Sequence, residues 1–590
     1  MKKFLLILST FIIAIICILF YPRKVTHGII METNDNYSLI YIDGKLKEVK
    51  IPNLNLPKYT VLSFKFNAFQ TYDYKINKPL LNRVMVKESK NYELEGLGSK
   101  TLSKKPLFYK IDSNDNINIG TSKDIIVGKN NVRSFLNDDR LNTFIIYPME
   151  DYSTTRVGIS TSNFSSIYHD KLKIQLNSPC KIYSEMEDIS LDIPTNNSIT
   201  AVCEKKHLNL YVDESKITTK NRLYIKGTNL TLTNINRGYP SFNPSYNGIL
   251  ELYPTEKGII LVNEVNIEDY LYKVVPSEMP IWGGLEALKC QAVAARTYAI
   301  SDMLSNRYGS LGFYVDDSTK SQVYNNIKPQ EISNKAIKNT TGLIMTYNNN
   351  PIDAKYYSTS CGSGVNYQDI WFKSDGSSDN KPYLKTNRFL KNNIALPTSE
   401  ENWLKFYRNE DIQSFDNKSS YFRWNVSFSK NTLEENLNIN LKKIYKNSRQ
   451  YINILKNGKK SKWMPRTLKN LQDIKVLNRS EGGNILEISF IFENVTVNVK
   501  KDSFVRRSFR CNNPPKIIRY IGKPLENWTT LPSSFFSIEK LNDTFTLYGG
   551  GYGHGVGMSQ YGAMYLGKEG KDFKTILNTY YKNIKFNKLY

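Results

Sequence analysis

Between residues 285 and 303 apolar side chains recur at helical spacing: Leu285, Leu288, Ala292, Ala295, Ala299 and Met303. No glycine or proline interrupts the run before Gly309, and Gly283-Gly284 start it. The spacing predicts a buried helix over about 284–305. Just ahead stands Glu278, placed by the sequence in a short loop between Pro276 and Pro280. A carboxylate in a stretch otherwise built for burial requires an explanation.

The rest of the chain sets the frame. Residues 28–235 show short alternating runs bounded by turn residues, as in Tyr37-Ser-Leu-Ile-Tyr-Ile-Asp-Gly-Lys-Leu, and predict one or more β-rich modules. From about residue 236 strands alternate with helices, so the fold class is α+β, with a less typical segment at about 388–530. At 590 residues and 40% apolar content, several domains with buried cores are expected. No fixed-period repeat is visible.

The first residues bear on location. Lys2-Lys3 precede an almost unbroken apolar run from Phe4 to Phe20, followed by Tyr21-Pro-Arg-Lys. Small residues of the signal-peptidase kind are missing, and Ile16 stands where a lipoprotein signal wants a small residue before Cys17. Residues 1–22 therefore read as a signal anchor or a signal peptide, the uncleaved anchor being favoured, with the main body extracytoplasmic. Six cysteines are too few for a disulfide scaffold; Cys180 and Cys203 are close enough in sequence to pair, and Cys290 reads as a small buried residue. Lysine and arginine number 80 against 55 acids, a net charge of +25 that attracts polyanions without choosing among them. With no zinc finger, RNA-recognition signature or basic heptads, no specific nucleic acid is expected.

Among motifs, the glycine-dense run Tyr548-Gly-Gly-Gly-Tyr-Gly-His-Gly-Val-Gly-Met-Ser-Gln-Tyr-Gly-Ala comes first. No register gives G-x-G-x-x-G, and Gly562 to Lys568 fits a P-loop only until Glu569 replaces its hydroxyl residue, so both nucleotide readings fail. What remains is a backbone able to approach a ligand closely, with His554, Ser559, Gln560 and Tyr561 beside it. The four histidines are scattered and H-E-x-x-H is absent, so a metal hydrolase and a cofactor are not expected. G-x-S-x-G is absent too, and a Cys361–His554 pair rests on nothing but residue type. That leaves Glu278. Flanked by Pro276, Met279, Pro280 and Trp282 it is partly desolvated, which raises the pKa of a carboxyl and suits a general acid at a glycosidic oxygen. Hydrolysis would add a second carboxylate, with Glu264, Glu268, Asp269, Asp316 and Asp369 as candidates. The bland alternative is that Glu278 only caps its turn, and Trp282 is either a sugar platform or core packing.

Six segments, in order, carry a resemblance. They are Val262-Asn-Glu-Val-Asn-Ile-Glu-Asp-Tyr-Leu-Tyr-Lys-Val-Val-Pro-Ser-Glu-Met-Pro, Glu286-Ala-Leu-Lys-Cys-Gln-Ala-Val-Ala-Ala-Arg-Thr-Tyr-Ala, Ser321-Gln-Val-Tyr, Tyr357-Ser-Thr-Ser-Cys-Gly, Leu531-Pro-Ser-Ser-Phe and Gly553-His-Gly-Val-Gly-Met-Ser-Gln-Tyr-Gly-Ala. Through them residues 235–590 resemble the SpoIID/LytB family, named for a stage II sporulation protein and an amidase enhancer. The resemblance implies a lytic transglycosylase acting on peptidoglycan glycan strands stripped of stem peptides, with Glu278 as catalytic acid and base. It implies substrate-binding roles for Arg296, Gln322, Tyr324, Ser358, His554, Ser559, Gln560 and Tyr561. Arg296 would steady Glu278 or bind the lactyl carboxylate of muramic acid. The enhancer branch of the family implies the rival, a non-catalytic wall-binding protein that stimulates a cell-wall amidase. One departure stands out: where the family has His in H-S-T-x-x-G, this chain has Tyr357, which counts against the zinc that some members bind.

Overall fold

The computed structural model describes residues 11–13, 15–34, 37–51, 54–373, 377–391 and 394–590. Of the expected membrane helix, residues 11–13 and 15–20 are helical, while residues 1–10 and 14 lie outside the described residues. Among the described residues no helix is long and apolar enough to cross a membrane. The chain divides into two compact units. One runs to Ile267 and takes in Asp302–Asn326; the other comprises Glu268–Ser301 and Ile327–Tyr590.

The first unit is β-rich, as its alternation predicts. A five-stranded sheet spans Arg23–Asn77, a six-stranded one spans Val84–Ile146, and a twelve-stranded one begins at Thr154. In Lys171–Leu176 the residues Leu172, Ile174 and Leu176 are buried while Lys171 and Lys173 face solvent, the period of two that fixes a strand's inner face. The large sheet continues past residue 235 through Ser245–Thr255 and Gly258–Asn266, and closes with Val315–Asp316 parallel to Thr154–Gly158. Cys180 and Cys203 are free thiols in separate strands, so the sequence pairing is not made.

Buried charge holds this unit together. Arg156 donates to Glu251 at 2.6 and 2.8 Å and also pairs with Glu264. Arg222 bridges Glu251 and Glu93 at 2.8 Å each, and Arg83 bridges Glu264 and Glu95. Each guanidinium is matched by carboxylates, which offsets the large cost of taking charge out of water.

Four helices matter for the site, lying wholly or for the most part in the second unit: α1 (Ile267–Glu278), α2 (Leu285–Ser305), α3 (Lys430–Ser448) and α4 (Gln560–Lys568). α2 begins within a residue of the expected start, and Leu288, Ala292, Ala295, Ala299 and Met303 are all fully buried along it. Glu278 differs from expectation. It is the last residue of α1 rather than part of a loop, because Pro276 sits inside the helix. A proline removes one backbone donor, and near a C-terminus one missing bond does not stop the helix. A five-stranded sheet (Ile452–Lys500) and a four-stranded sheet (Trp424–Ser429, Ile518–Arg519, Phe536–Leu541, Thr544–Gly549) share one apolar core with α3, which contributes Leu433, Leu437, Leu441 and Ile444.

Candidate functional site

The glycine-dense run does something the sequence did not announce. Gly551, Gly553, Gly555 and Gly557 all have positive φ, between 78 and 118°. A Cβ on Gly557 would stand 2.0 Å from the Lys355 carbonyl oxygen, and one on Gly553 2.7 Å from the Tyr357 Cβ. The close approach is to the chain itself. Met558-Ser559 forms a parallel pair with Tyr356-Tyr357, and Thr359 bridges Tyr552. Two segments some 200 residues apart thus form one layer.

That layer carries α4 to Glu278. Ser559 caps α4 by accepting from the Gly562 N–H, and the Tyr561 N–H donates to the Ser358 carbonyl at 3.1 Å. Gln560, 7% exposed, donates through Nε2 to the backbone carbonyl of Glu278 at 3.0 Å and to Gln291 Oε1 of α2 at 3.2 Å. Glu278 is half-buried, with Met279 and Pro276 buried beside it. Trp282 settles as a surface residue: it is 57% exposed, its ring lies edge-on to Tyr561 at 5.9 Å, and the Lys568 ammonium sits 5.1 Å over it. The acid, an accessible aromatic pair and a cation are therefore grouped around the ends of α1 and α4.

Other expected residues take different places. Arg296 is fully buried and held by Glu268, Nε to Oε1 at 2.7 Å and Nη2 to Oε2 at 2.6 Å, with a third bond to the Leu343 carbonyl. Burial acts to raise the Glu268 pKa, but the Arg296 bonds outweigh it and hold the carboxyl below its ordinary value. This pair ties α1 to α2, so both groups are occupied in positioning. Gln322 and Tyr324 belong to the first unit, where both are buried and Tyr324 donates to Asn263 at 3.1 Å. Of the carboxylates considered for hydrolysis, Glu264 is in the ion network and Asp316 accepts from Ser318 and Tyr308. Asp269 and Asp369 are both raised by burial.

His554 packs edge-on to Trp371 at 4.8 Å and near Tyr357 at 5.6 Å. Burial, with Lys355 and Arg506 nearby, pushes its pKa down to about 3, so the ring is neutral at physiological pH. Its Nδ1 accepts from the Val556 N–H at 3.1 Å, leaving Nε2 as the protonated nitrogen. Cys361 is buried against Ser363, and burial raises its thiol pKa, the opposite of what a nucleophile needs. With Tyr357 in place of a histidine, and no group of three His, Cys, Asp or Glu residues together among the described residues, this donor set does not fit a zinc ion.

Sequence reasoning missed Asp416. It is fully buried and accepts from the Ser360 N–H at 2.9 Å, from Ser360 Oγ at 3.0 Å and from Ser559 Oγ. Burial pushes it up to about 6 despite these donors. A cleft of about 720 Å³ elsewhere in the unit is lined by Asn387, Arg388, Glu400, Trp403 and Arg479, none of them a motif residue.

Gln560, at the end of the glycine-rich segment, thus meets the backbone of Glu278 at the end of α1. Residues 255–347 match the stage II sporulation protein model (SpoIID), and residues 366–557 match a domain of unknown function (DUF8618). The first match and the relatives below support assigning the chain to the SpoIID/LytB family. Among similar proteins, stage II sporulation protein D of Bacillus subtilis is 27% identical over 54% of this chain and 74% of its own length. The amidase enhancer of the same organism is 28% identical over 52% of this chain, which spans only 39% of that protein. An uncharacterized protein of Brachyspira hyodysenteriae is 28% identical over 70% of this chain and 88% of its own.

Proposed function

We propose that the protein is an extracytoplasmic lytic transglycosylase that cleaves the MurNAc–GlcNAc bonds of peptide-stripped peptidoglycan strands. Residues 1–22 would anchor it at the membrane. The observation that carries this reading is the Gln560–Glu278 contact, which brings the S-E-M-P acid and the G-H-G-V-G-M-S-Q loop together beside exposed Trp282. The Glu278 carboxyl protonates the bridging oxygen as the C1–O bond breaks. The resulting carboxylate takes the proton of the sugar's own C6 hydroxyl, whose oxygen attacks C1 and leaves a 1,6-anhydro end. One carboxyl acts twice and no second one is required, in keeping with the commitment of Glu264 and Glu268 to arginines. Tyr561 and Trp282 supply the aromatic faces for a sugar ring.

The second reading is an amidase-stimulating wall binder, favoured by the similarity to the amidase enhancer of Bacillus subtilis. Mass spectrometry of glycan fragments separates the two. The full chain is expected to release anhydro-ended fragments from stripped glycan, and Glu278→Gln to lower the rate by about 10²–10⁴-fold. Fragments with reducing ends would mean hydrolysis. No fragments from stripped or intact wall would favour the enhancer.

A further inference from the structure

From Asn436 to Gln472 the chain holds ten lysines and arginines and not one aspartate or glutamate. The fold gathers them. Lys443, Lys446 and Arg449 are exposed on the C-terminal half of α3 and just past it, and Lys456, Lys459 and Lys460 are exposed on the adjoining hairpin Ile452–Ser461. Lys462, Arg466 and Lys469 are exposed on the segment that follows. None of the nine forms an ion pair among the described salt bridges. Trp463 stands between Lys462 and Arg466 with 76% of its surface exposed, a costly place for the largest aromatic side chain.

The backbone that carries Trp463 is fixed rather than loose. Tyr445 donates to the Lys462 carbonyl at 2.7 Å, Arg449 donates to the same oxygen at 2.5 Å, and Lys442 donates to the Arg466 carbonyl. Half-buried Met464 packs into the core. Ile439, 60% exposed, lies four and seven residues before Lys443 and Lys446, hence on their face of α3.

We propose that this face docks on the anionic headgroups of a phospholipid membrane, with Trp463 entering the interface. Edge-strand lysines that block sheet-to-sheet pairing account for Lys459 and Lys460 alone. They do not account for the helix cations, for Trp463 or for Ile439. A water-soluble polyanion such as nucleic acid gains nothing from an exposed isoleucine. A bilayer surface takes both the cations and the apolar tips, and tryptophan is the residue that prefers that boundary. The inference does not depend on the glycan chemistry.

The test is sedimentation of the full chain with vesicles of phosphatidylcholine alone or with one-third phosphatidylglycerol. Any contribution of residues 1–22 is common to every variant, so the readout is the preference for anionic over neutral vesicles. Lys459→Glu/Lys460→Glu/Lys462→Glu is expected to lower that preference by about 100-fold at low salt. Lys216→Glu/Lys220→Glu/Lys226→Glu, at exposed positions in the other unit, carries the same change of net charge and is expected to retain most of the preference. Trp463→Ala is expected to weaken it several-fold, and the emission difference between wild type and Trp463→Phe to shift blue on anionic vesicles. Equal effects of the two triple variants would overturn the proposal. So would loss of DNA or polyphosphate binding in the patch variant with the vesicle preference intact.

Discussion

Asp416 shows how one buried oxygen pair can report on the whole site. Its folded pKa of about 6 lies above the ordinary 3.8, so between these values the unfolded chain releases the proton and the folded chain keeps it. The contribution of Asp416 to stability is therefore fully present below about pH 4, falls as pH rises towards 6, and is gone above. The two-unit gap corresponds to about 3 kcal/mol. Urea midpoints measured from pH 4 to 7 are expected to show this slope in wild type and to lose it in Asp416→Asn. An unchanged slope in the variant would assign the titration elsewhere. Nothing in Ser414-Phe-Asp-Asn marks this carboxylate as special, because its partners lie 56 and 143 residues away. Glu278 and Trp282 were legible as residues, one from its setting and the resemblance, the other as a choice between two roles. Arg296 was legible only as important, since its burial against Glu268 follows from packing that no spacing encodes.

Among elements, α2 was readable to within a residue because its apolar spacing is unbroken, whereas α1 was misjudged at its end because Pro276 reads as a stop signal. The glycine-rich segment was recognised, but its purpose was not. Its glycines admit a neighbouring strand, a use that shows only once the neighbour's position is known. Gly557→Ala tests this directly. The Cβ meets a backbone carbonyl that cannot swing away, while the same change at Gly570, with φ of 79° and nothing within 4 Å, meets open space. Gly570→Ala is expected to cost about 1–2 kcal/mol for the left-handed backbone alone, and Gly557→Ala clearly more. Comparable melting temperatures for the two variants would refute the packing role. The β-rich character of residues 28–235 was also legible from alternation, whereas the continuation of one sheet through Asn266 was not, since sheet membership is decided by pairing partners.

At the scale of the whole molecule, the units exchange chain. The first recovers Asp302–Asn326 after the second has begun. That return supplies Asp317, which pairs with Arg237 at 2.6 Å with both side chains fully buried, and Tyr314, which donates to the Val127 carbonyl at 2.7 Å. A fragment ending at Ile267 leaves Arg237 as a buried charge without its carboxylate, a loss of about 3–5 kcal/mol before the missing strand is counted. Circular dichroism on heating is expected to show a broad, early transition for that fragment, and a sharp one at the full-length temperature would contradict this account.

The grip of Gln560 on Glu278 spans 282 residues of sequence. Contacts of such separation form late, because a long loop must close before they give anything back. During synthesis, then, the acid emerges from the ribosome well before the loop that completes its surroundings. A nascent chain stalled between residues 278 and 560 carries Glu278 without its Gln560 partner, so this contact waits on the order of translation.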